Sequence, residues 1–356
     1  MILVQQIDVR LEQIMSLPPL YRALRENSHQ EISRLAALRI SFKNCSWLIA
    51  NDSVFGFYLG SFLWQNSTIL GNLLYSYTRD QKWLSVTLIQ EILEWLDNWP
   101  VGLKLNTELS RFFYVCFMTF TNVWDTCLDI IAPYFPLIFK TMGIFGWFGL
   151  TMILSLGSDL LSLFTLHLHL AYLIATGIFA GQLNVAHSLW NLFRGKRYNA
   201  LRKRTDSTNY DVDQLLVGTI LLTLVAFTMP TVVVYYALFA IIRLLTILAH
   251  ATSEAIVASL NHFPLFAIML RLKEPSCLPG GVYFEVRKAK PGALFIRNLP
   301  IPVSRIFFQH FLLWSRLSSH YHPVRLLVRL VTGAPLTQIS RNDIRYAMLP
   351  KLTKTE

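Results

Sequence analysis

Arg194-Gly195-Lys196-Arg197-Tyr198-Asn199-Ala200-Leu201-Arg202-Lys203-Arg204 places six cations in eleven residues, between two long apolar segments. Loops rich in Lys and Arg beside membrane spans stay on the cytosolic side, so this loop predicts which way the chain faces. The flanking sequence decides what kind of chain it is. Of 356 residues, 53% are hydrophobic and only 15% charged, with a mean hydropathy of +0.42. Soluble domains carry about 25% charged residues. The deficit falls between Trp47 and Ile268, where apolar runs of about 20 residues recur, the length that crosses a ~30 Å hydrocarbon core. The expectation is an all-α polytopic membrane protein.

Working outward from the basic loop 192–213, the pattern predicts about six transmembrane helices within a membrane domain 46–268. They are placed at about 46–66, 111–132, 143–162, 164–187, 215–237 and 238–262. Residues 143–191 hold one acid, Asp159, and no Lys or Arg. At ~1.5 Å per residue that stretch is too long for one crossing, which predicts two tightly joined spans. Pro133 and Pro136 end the second span, and Pro230 kinks a helix or marks its exit. Residues 1–45 read as a cytosolic amphipathic region broken at Pro18-Pro19, with the clearest amphipathic helix over 28–43. Insertion is expected from the first span, because Asp8, Arg10 and Glu12 interrupt any signal-peptide core.

After the membrane domain comes a basic cytosolic tail, 271–356. Alternation over 282–287 and 293–298, around Lys288-Ala289-Lys290-Pro291-Gly292, predicts a β-hairpin. An amphipathic helix over about 303–320 and a shorter one ending at Gly333 follow. The net charge of +11 is uneven: the tail holds fourteen Lys and Arg against four acids, whereas 75–110 is net acidic. Six spans place the loop, the tail, the N-terminus and the Lys140 turn on the cytosolic side. The acidic 67–110 segment, with Trp83, Trp95 and Trp99, falls on the other. It either lies in the headgroup layer or forms a small folded loop. Cys45, Cys116, Cys127 and Cys277 lack metal-ligand spacing, so neither a disulfide framework nor zinc is expected. Asn44, Asn51 and Asn66 begin Asn-x-Ser/Thr triplets, but they lie at or inside the first span and are expected to stay unmodified.

Few residues suggest chemistry. Asp211-Val212-Asp213 matches the Asp-x-Asp pattern with which many glycosyltransferases hold a metal and a nucleotide diphosphate. It also sits just before a membrane helix, where acids favour the positive end of the dipole, and that capping reading is preferred. Asn122, Asp125 and Asp129 share a helical face and could do acid–base work; placement at the membrane boundary and pairing with another helix is preferred. Arg243, His250, Glu254 and Asn261 form a polar stripe on one face. It should meet other helices, in this chain or a partner, or line a substrate path. His167 and His169 are two apart and point to different faces. No phosphate-binding Gly-rich loop, hydrolase elbow or Glu-(seven residues)-Glu pair is present. No catalytic, cofactor-binding or metal site is therefore expected. The rivals are a catalytic lipid glycosyltransferase and a membrane transporter using Asp125, Asp129, Asp159 and Arg243.

Four blocks carry a resemblance. They are Trp47-Leu48-Ile49-Ala50-Asn51-Asp52 with Gly56 and Gly60; Trp99-Pro100-Val101-Gly102-Leu103-Lys104-Leu105-Asn106-Thr107-Glu108-Leu109; Leu192-Phe193-Arg194-Gly195-Lys196-Arg197-Tyr198-Asn199 continuing through Tyr210–Gly218; and Leu278-Pro279-Gly280-Gly281-Val282-Tyr283-Phe284-Glu285-Val286. Together they resemble the PIG-Q family, subunit Q of phosphatidylinositol N-acetylglucosaminyltransferase, over about residues 7–335. The resemblance implies a multi-pass subunit in the endoplasmic-reticulum membrane. Its complex transfers GlcNAc from UDP-GlcNAc to phosphatidylinositol on the cytosolic face, starting glycosylphosphatidylinositol (GPI) synthesis. It further implies a non-catalytic scaffold beside the catalytic glycosyltransferase subunit PIG-A and beside PIG-C, PIG-H and PIG-P. Family members often carry a long region before the first block, so the resemblance implies that its role is missing here. Arg194, Lys196, Arg197, Arg202, Lys203 and Arg204 are expected to contact the lipid headgroup or a partner. Arg243, His250, Glu254 and Asn261 are expected to pack on partner helices.

Overall fold

The computed structural model describes residues 2–26, 32–79, 86–98, 102, 105–199, 203–274, 278–286 and 294–339. Trp83, Trp99, Pro100, Arg202, Cys277 and the 288–292 turn lie outside the described residues. The axis of the molecule is a pair of antiparallel rods. One is α7 (Leu150–Phe164) continued by α8 (Leu166–Phe193), interrupted only at Thr165. The other is α9 (Val212–Asn261), a single helix of 50 residues. Three ties set their register: Ser158 Oγ to Ser253 Oγ at 3.0 Å, Gln182 Nε2 to Thr228 Oγ1 at 2.8 Å, and the stacked rings of Phe179 and Tyr236 at 4.3 Å.

The unbroken α9 corrects the expected division into spans 215–237 and 238–262. Pro230 removes one backbone donor and pushes aside a carbonyl one turn back. The helix nevertheless continues through it, and α8 grips it just before the proline, where Gln182 Nε2 meets Thr228 Oγ1 at 2.8 Å and lies 3.4 Å from Val225 O. Beyond it, no Gly or Pro occurs until Pro264. At ~1.5 Å per residue α9 is about 75 Å long, well beyond the ~40–45 Å of a bilayer with its headgroups. The basic loop adjoins its start, whereas Leu313, Leu317 and Ile339 of the tail pack on Ala255 and Ala258 near its end. The loop and this part of the tail sit at opposite ends of α9.

Three stretches among the described residues are long and apolar enough to cross a membrane: Thr107–Phe148, Leu166–Phe193 and Val212–Asn261. The first joins α5 (Thr107–Ile131), a 3-10 turn at Ala132–Tyr134 and α6 (Phe135–Phe145). Asn106 caps α5 by accepting the Leu109 N–H at 3.2 Å, and Pro133 ends it where expected. The span expected at 143–162 is split by a second 3-10 turn, Gly146–Phe148, and by Gly149 at φ +135°, leaving α7 with 15 residues. The cause is α2 (Ile32–Gln65). A Cβ on its Gly60 would stand 2.6 Å from the Gly143 carbonyl oxygen, so backbone meets backbone and the chain turns there. From α2, Asp52 then receives the first donors of α7, Thr151 N–H at 3.1 Å and Thr151 O–H at 2.9 Å. Helix starts need such acceptors.

The main core joins Phe113 and Phe117 of α5 to Tyr172 and Phe179 of α8 and to Tyr235, Tyr236, Phe239 and Ile247 of α9. Ile89, Leu93 and Leu96 of α4 (Val86–Asp97) complete it, with Leu336 from the tail. The short α3 (Ser67–Arg79) continues from α2 and packs on α6, where its Gly71 meets Pro136. The chain after α9 forms α10 (Leu265–Lys273), a hairpin of β3 (Pro279–Val286) with β4 (Leu294–Pro300), then α11 (Val303–Ile306), α12 (Phe308–His320) and α13 (Pro323–Thr332). The hairpin pairs Tyr283 with Arg297 and Glu285 with Phe295, as alternation predicted. Gly333, at φ +67°, ends α13 and packs on Phe179 and Ala180 of α8. The described residues of the tail from α12 onward thus pack on the helical body. A second hairpin, β1 (Lys196–Asn199) with β2 (Arg204–Ser207), lies inside the basic loop and was not predicted.

Candidate functional site

Two constellations stand out, and the first is a buried polar seam. The N-terminal helix α1 (Ile2–Glu26) runs through Pro18 and Pro19 instead of breaking there. Gln6, Arg10, Gln13 and Ser16 recur every three or four residues and are all buried, while Val4, Leu11, Ile14 and Met15 are exposed. The inward stripe continues across the prolines to Leu20, and both proline rings point outward, where the helix can bend. This helix is amphipathic in the opposite sense to a soluble one: its polar face carries the contacts. Arg10 pairs with Asp52, and its guanidinium reaches Gln13 Oε1 at 3.0 Å. Gln6 and Asn261 exchange two amide hydrogen bonds, at 2.9 and 3.0 Å. Asp159, the single acid of 143–191, accepts Ile2 N–H (2.8 Å) and Leu3 N–H (2.9 Å), so it holds the first turn of α1.

Arg243, His250, Glu254 and Asn261 are all buried, on the side of α9 that faces this chain's own helices and tail. Ser253 Oγ, which meets Ser158 of α7, also donates to the His250 carbonyl at 2.9 Å. Tyr321, between α12 and α13, accepts the Ile339 N–H at 3.1 Å. Burial, with the Glu254 carboxylate adding to it, raises the Tyr321 hydroxyl above its ordinary value, so it stays protonated at neutral pH. Asn122 accepts Gln90 Nε2 at 2.8 Å, and His167 stacks on Trp124 at 4.9 Å. Gln6, Arg10, Gln13, Asp52 and Thr151 were missed from the sequence. Their signal was the three-and-four spacing of polar residues in α1, which reads as a solvated face until α2 and α7 cover it. Asp159→Ala is expected to loosen α1 by about 0.5–2 kcal/mol, the usual worth of a helix-start acceptor. Faster proteolysis within 2–26, with the rest of the chain protected, would be the readout.

The second constellation is the basic hairpin. Arg194 caps the end of α8, its N–H bonding to Trp190 O at 3.2 Å. Lys196 and Arg197 lie on β1, Arg204 on β2, and Lys203 adopts φ +48° in the turn. Arg204 Nε meets Asp206 Oδ1 at 2.7 Å and Asn199 Nδ2 meets Oδ2 at 3.1 Å. An exposed pair of this kind is worth at most ~1 kcal/mol, so the hairpin remains a cationic surface at the tip of the α8–α9 pair. Asp211 is the residue before the first turn of α9, yet its side chain accepts no backbone N–H there. Its favourable effect, like that of Asp213 in the first turn, comes through the helix dipole. Among the described residues no three His, Cys, Asp or Glu side chains come together as metal ligands.

Membrane-length apolar helices, tied by buried polar side chains and tipped by a cationic hairpin, define a helical protein of the membrane-associated class. Residues 4–280 match the family described as N-acetylglucosaminyl transferase component (Gpi1), and the chain belongs to that family. It is the family expected from the four sequence blocks. The N-acetylglucosaminyl-phosphatidylinositol biosynthetic protein gpi1 of Schizosaccharomyces pombe is 36% identical over 360 residues, covering 97% of this chain and 54% of that protein. The phosphatidylinositol N-acetylglucosaminyltransferase subunit GPI1 of Saccharomyces cerevisiae is 32% identical, covering 98% of this chain and 61% of that protein. Subunit Q of the same transferase from Mus musculus is 36% identical over 57% of this chain and 35% of its own length. The chain thus spans little more than half the length of the two yeast relatives. No solved structure matches it.

Proposed function

We propose that this chain is a non-catalytic scaffold subunit of the complex that transfers GlcNAc from UDP-GlcNAc to phosphatidylinositol, the first step of GPI-anchor biosynthesis. It resides in the endoplasmic-reticulum membrane beside a separate catalytic glycosyltransferase subunit and further membrane subunits. The relatives' names support the complex. The scaffold role rests on one observation: three polar groups of the helical body, Asp52, Asp159 and Asn261, are engaged as ties between helices. Asp52 holds Arg10 and Thr151, Asp159 holds the start of α1, and Asn261 holds Gln6. Acid–base or metal chemistry needs such groups free to meet substrate. Arg194, Lys196, Arg197, Arg202, Lys203 and Arg204 form the cytosolic face that meets anionic headgroups or the catalytic subunit. Arg243, His250, Glu254 and Asn261 keep α9 in the geometry that its partners recognise.

The Asp211–Asp213 pair separates this reading from a catalytic one. Asp211→Asn combined with Asp213→Asn is expected to leave GlcNAc transfer in membranes within about twofold of the parent, because each carboxylate is worth only ~0.3–1 kcal/mol at a helix start. Loss of transfer by a hundredfold, with the complex still assembled, would make this chain the metal-binding catalyst.

A further inference from the structure

Residues 323–339 start near the far end of α9, reach its middle and turn back. The start of α13 adjoins Tyr321, whose hydroxyl accepts the Ile339 N–H at 3.1 Å. Ile339 packs there with Leu313 and Leu317 of α12, against Ala255 and Ala258 of α9. The other end of α13 lies deeper. Gly333 packs on Phe179 and Ala180, and the Tyr236 hydroxyl donates to Leu330 O at 3.0 Å. Phe179 and Tyr236 stand halfway along α8 and α9, both long and apolar enough to cross a membrane. The midpoint of a 28-residue span falls inside the ~30 Å hydrocarbon layer. With 10 residues, or ~15 Å, α13 cannot cross that layer itself. We propose that 323–339 is a re-entrant membrane segment: α13 dips into the bilayer, and lipid acyl chains cover its outward face.

The sequence of α13 suits a different neighbour on each side. Leu326 and Leu330 pack on the main core. Val324, Leu327, Val328 and Val331, spaced three, four and seven residues apart along another face, are each more than half exposed. An aliphatic stripe with no aromatic or polar anchor fits acyl chains better than a protein partner, whose binding hot spots favour Trp, Tyr and Arg. The arginines on the flank turn toward the mouth of the loop. Arg325 Nη1 donates to Ser319 O at 2.8 Å, near the end of α12. Arg329 Nη1 donates to Thr337 Oγ1 at 3.1 Å, and the Thr337 carbonyl lies 3.3 Å from His320 Nε2. Long cationic side chains near a bilayer take this course. Residues 303–333 hold four Arg and no Asp or Glu, a balance that suits phosphate headgroups at the mouth. There α12 exposes Phe308, Phe311 and Trp314, apolar and aromatic side chains fitted to the interface. The return leg after Gly333 is not helical, which is tolerated at membrane depth only where protein covers it. Leu336 is 2% exposed, and its N–H bonds to the Tyr172 hydroxyl at 2.9 Å. The Ala334 N–H bonds to Arg329 O at 2.9 Å.

The test uses the full chain in lipid nanodiscs, with Cys45, Cys116, Cys127 and Cys277 changed to serine. Val324→Cys, Leu327→Cys or Val331→Cys then carries a single spin label. Collisions of the label with oxygen, which concentrates in hydrocarbon, are compared with those of a water-soluble nickel chelate. The oxygen-to-nickel ratio is expected to rise along the helix, by about tenfold from Val324 to Val331 over ~10 Å. Should the serine background fail to fold, p-benzoylphenylalanine replaces Leu327 or Val331 in the chain with its cysteines intact. Illumination in membranes is then expected to give lipid adducts. Ready nickel access at all three positions would place α13 on a wet surface. Screening of the labels from both reagents, or protein adducts at Leu327 and Val331, would mean that a protein partner or a second copy covers the stripe. Any of these results overturns the re-entrant segment, while the scaffold role does not depend on it.

Discussion

Asp52→Ala is expected to destabilise the protein by about 3–5 kcal/mol, the usual cost of removing one partner from a buried ion pair. Its carboxylate and the Arg10 side chain are only 9% and 6% exposed, so the deletion strands a guanidinium inside the helical body. Asp52 also holds the start of α7 through two bonds to Thr151. Three elements, α1, α2 and α7, therefore lose their common tie. The measurement is thermal unfolding of the chain in lipid nanodiscs. Arg10→Met together with Asp52→Leu should recover a large part of the loss, because an apolar pair of similar volume leaves no unpaired charge. A single Asp52→Ala variant as stable as the parent would mean that this pair is not buried in the folded protein.

Gly60→Leu is expected to be the other severe substitution. A Cβ at that position meets the Gly143 carbonyl oxygen at 2.6 Å and Gly146 Cα at 3.1 Å, and both are backbone atoms that cannot swing away. Overpacking ordinarily costs about 1–3 kcal/mol, and a full leucine would part α2 from α6 altogether. Gly177 and Gly181 in α8 provide the contrast, since nothing lies within 4 Å of a Cβ at either. Gly177→Ala should be neutral or stabilising by up to ~1 kcal/mol, as removing glycine from a helix interior commonly is. Comparing folded yields and unfolding temperatures of the two variants checks both. Equal behaviour would show that the α2 contact is not set by backbone approach.

The parts of the fold that follow from local pattern were legible. Alternation located the β3–β4 hairpin, Pro133 marked the end of α5, and Gly333 marked the end of α13. What escaped depended on partners distant in sequence. Pro230 reads as a break, but α9 runs through it, held there by Gln182 of another helix. Residues 143–162 read as a span, but glycines that let α2 approach make the chain turn at Gly149. Residues 1–45 read as a cytosolic amphipathic region broken at Pro18-Pro19, because nothing local to Gln6 and Arg10 reveals Asn261 and Asp52. In the basic loop, Lys and Arg carry no strand pattern, and the hairpin depends on Gly195 and Lys203 adopting positive φ. Of the site, the stripe on α9 was visible from its spacing. Its complementary stripe on α1 was not, since the same spacing fits a wet surface equally well.

These features converge on a chain whose polar residues serve to position helices and whose outward faces remain apolar or cationic. Leu216, Ile220, Leu224 and Phe227 on α9 are exposed and offer surface to lipid or to neighbouring membrane helices. A scaffold subunit needs such faces, whereas an enzyme needs its ionisable groups turned toward a substrate. The most direct measurement is mild-detergent purification of the tagged chain from membranes, with quantitative mass spectrometry and an assay of GlcNAc transfer to phosphatidylinositol. The account predicts that a separate glycosyltransferase subunit co-purifies and that transfer activity follows that subunit. Recovery of the chain alone with full transfer activity would contradict it.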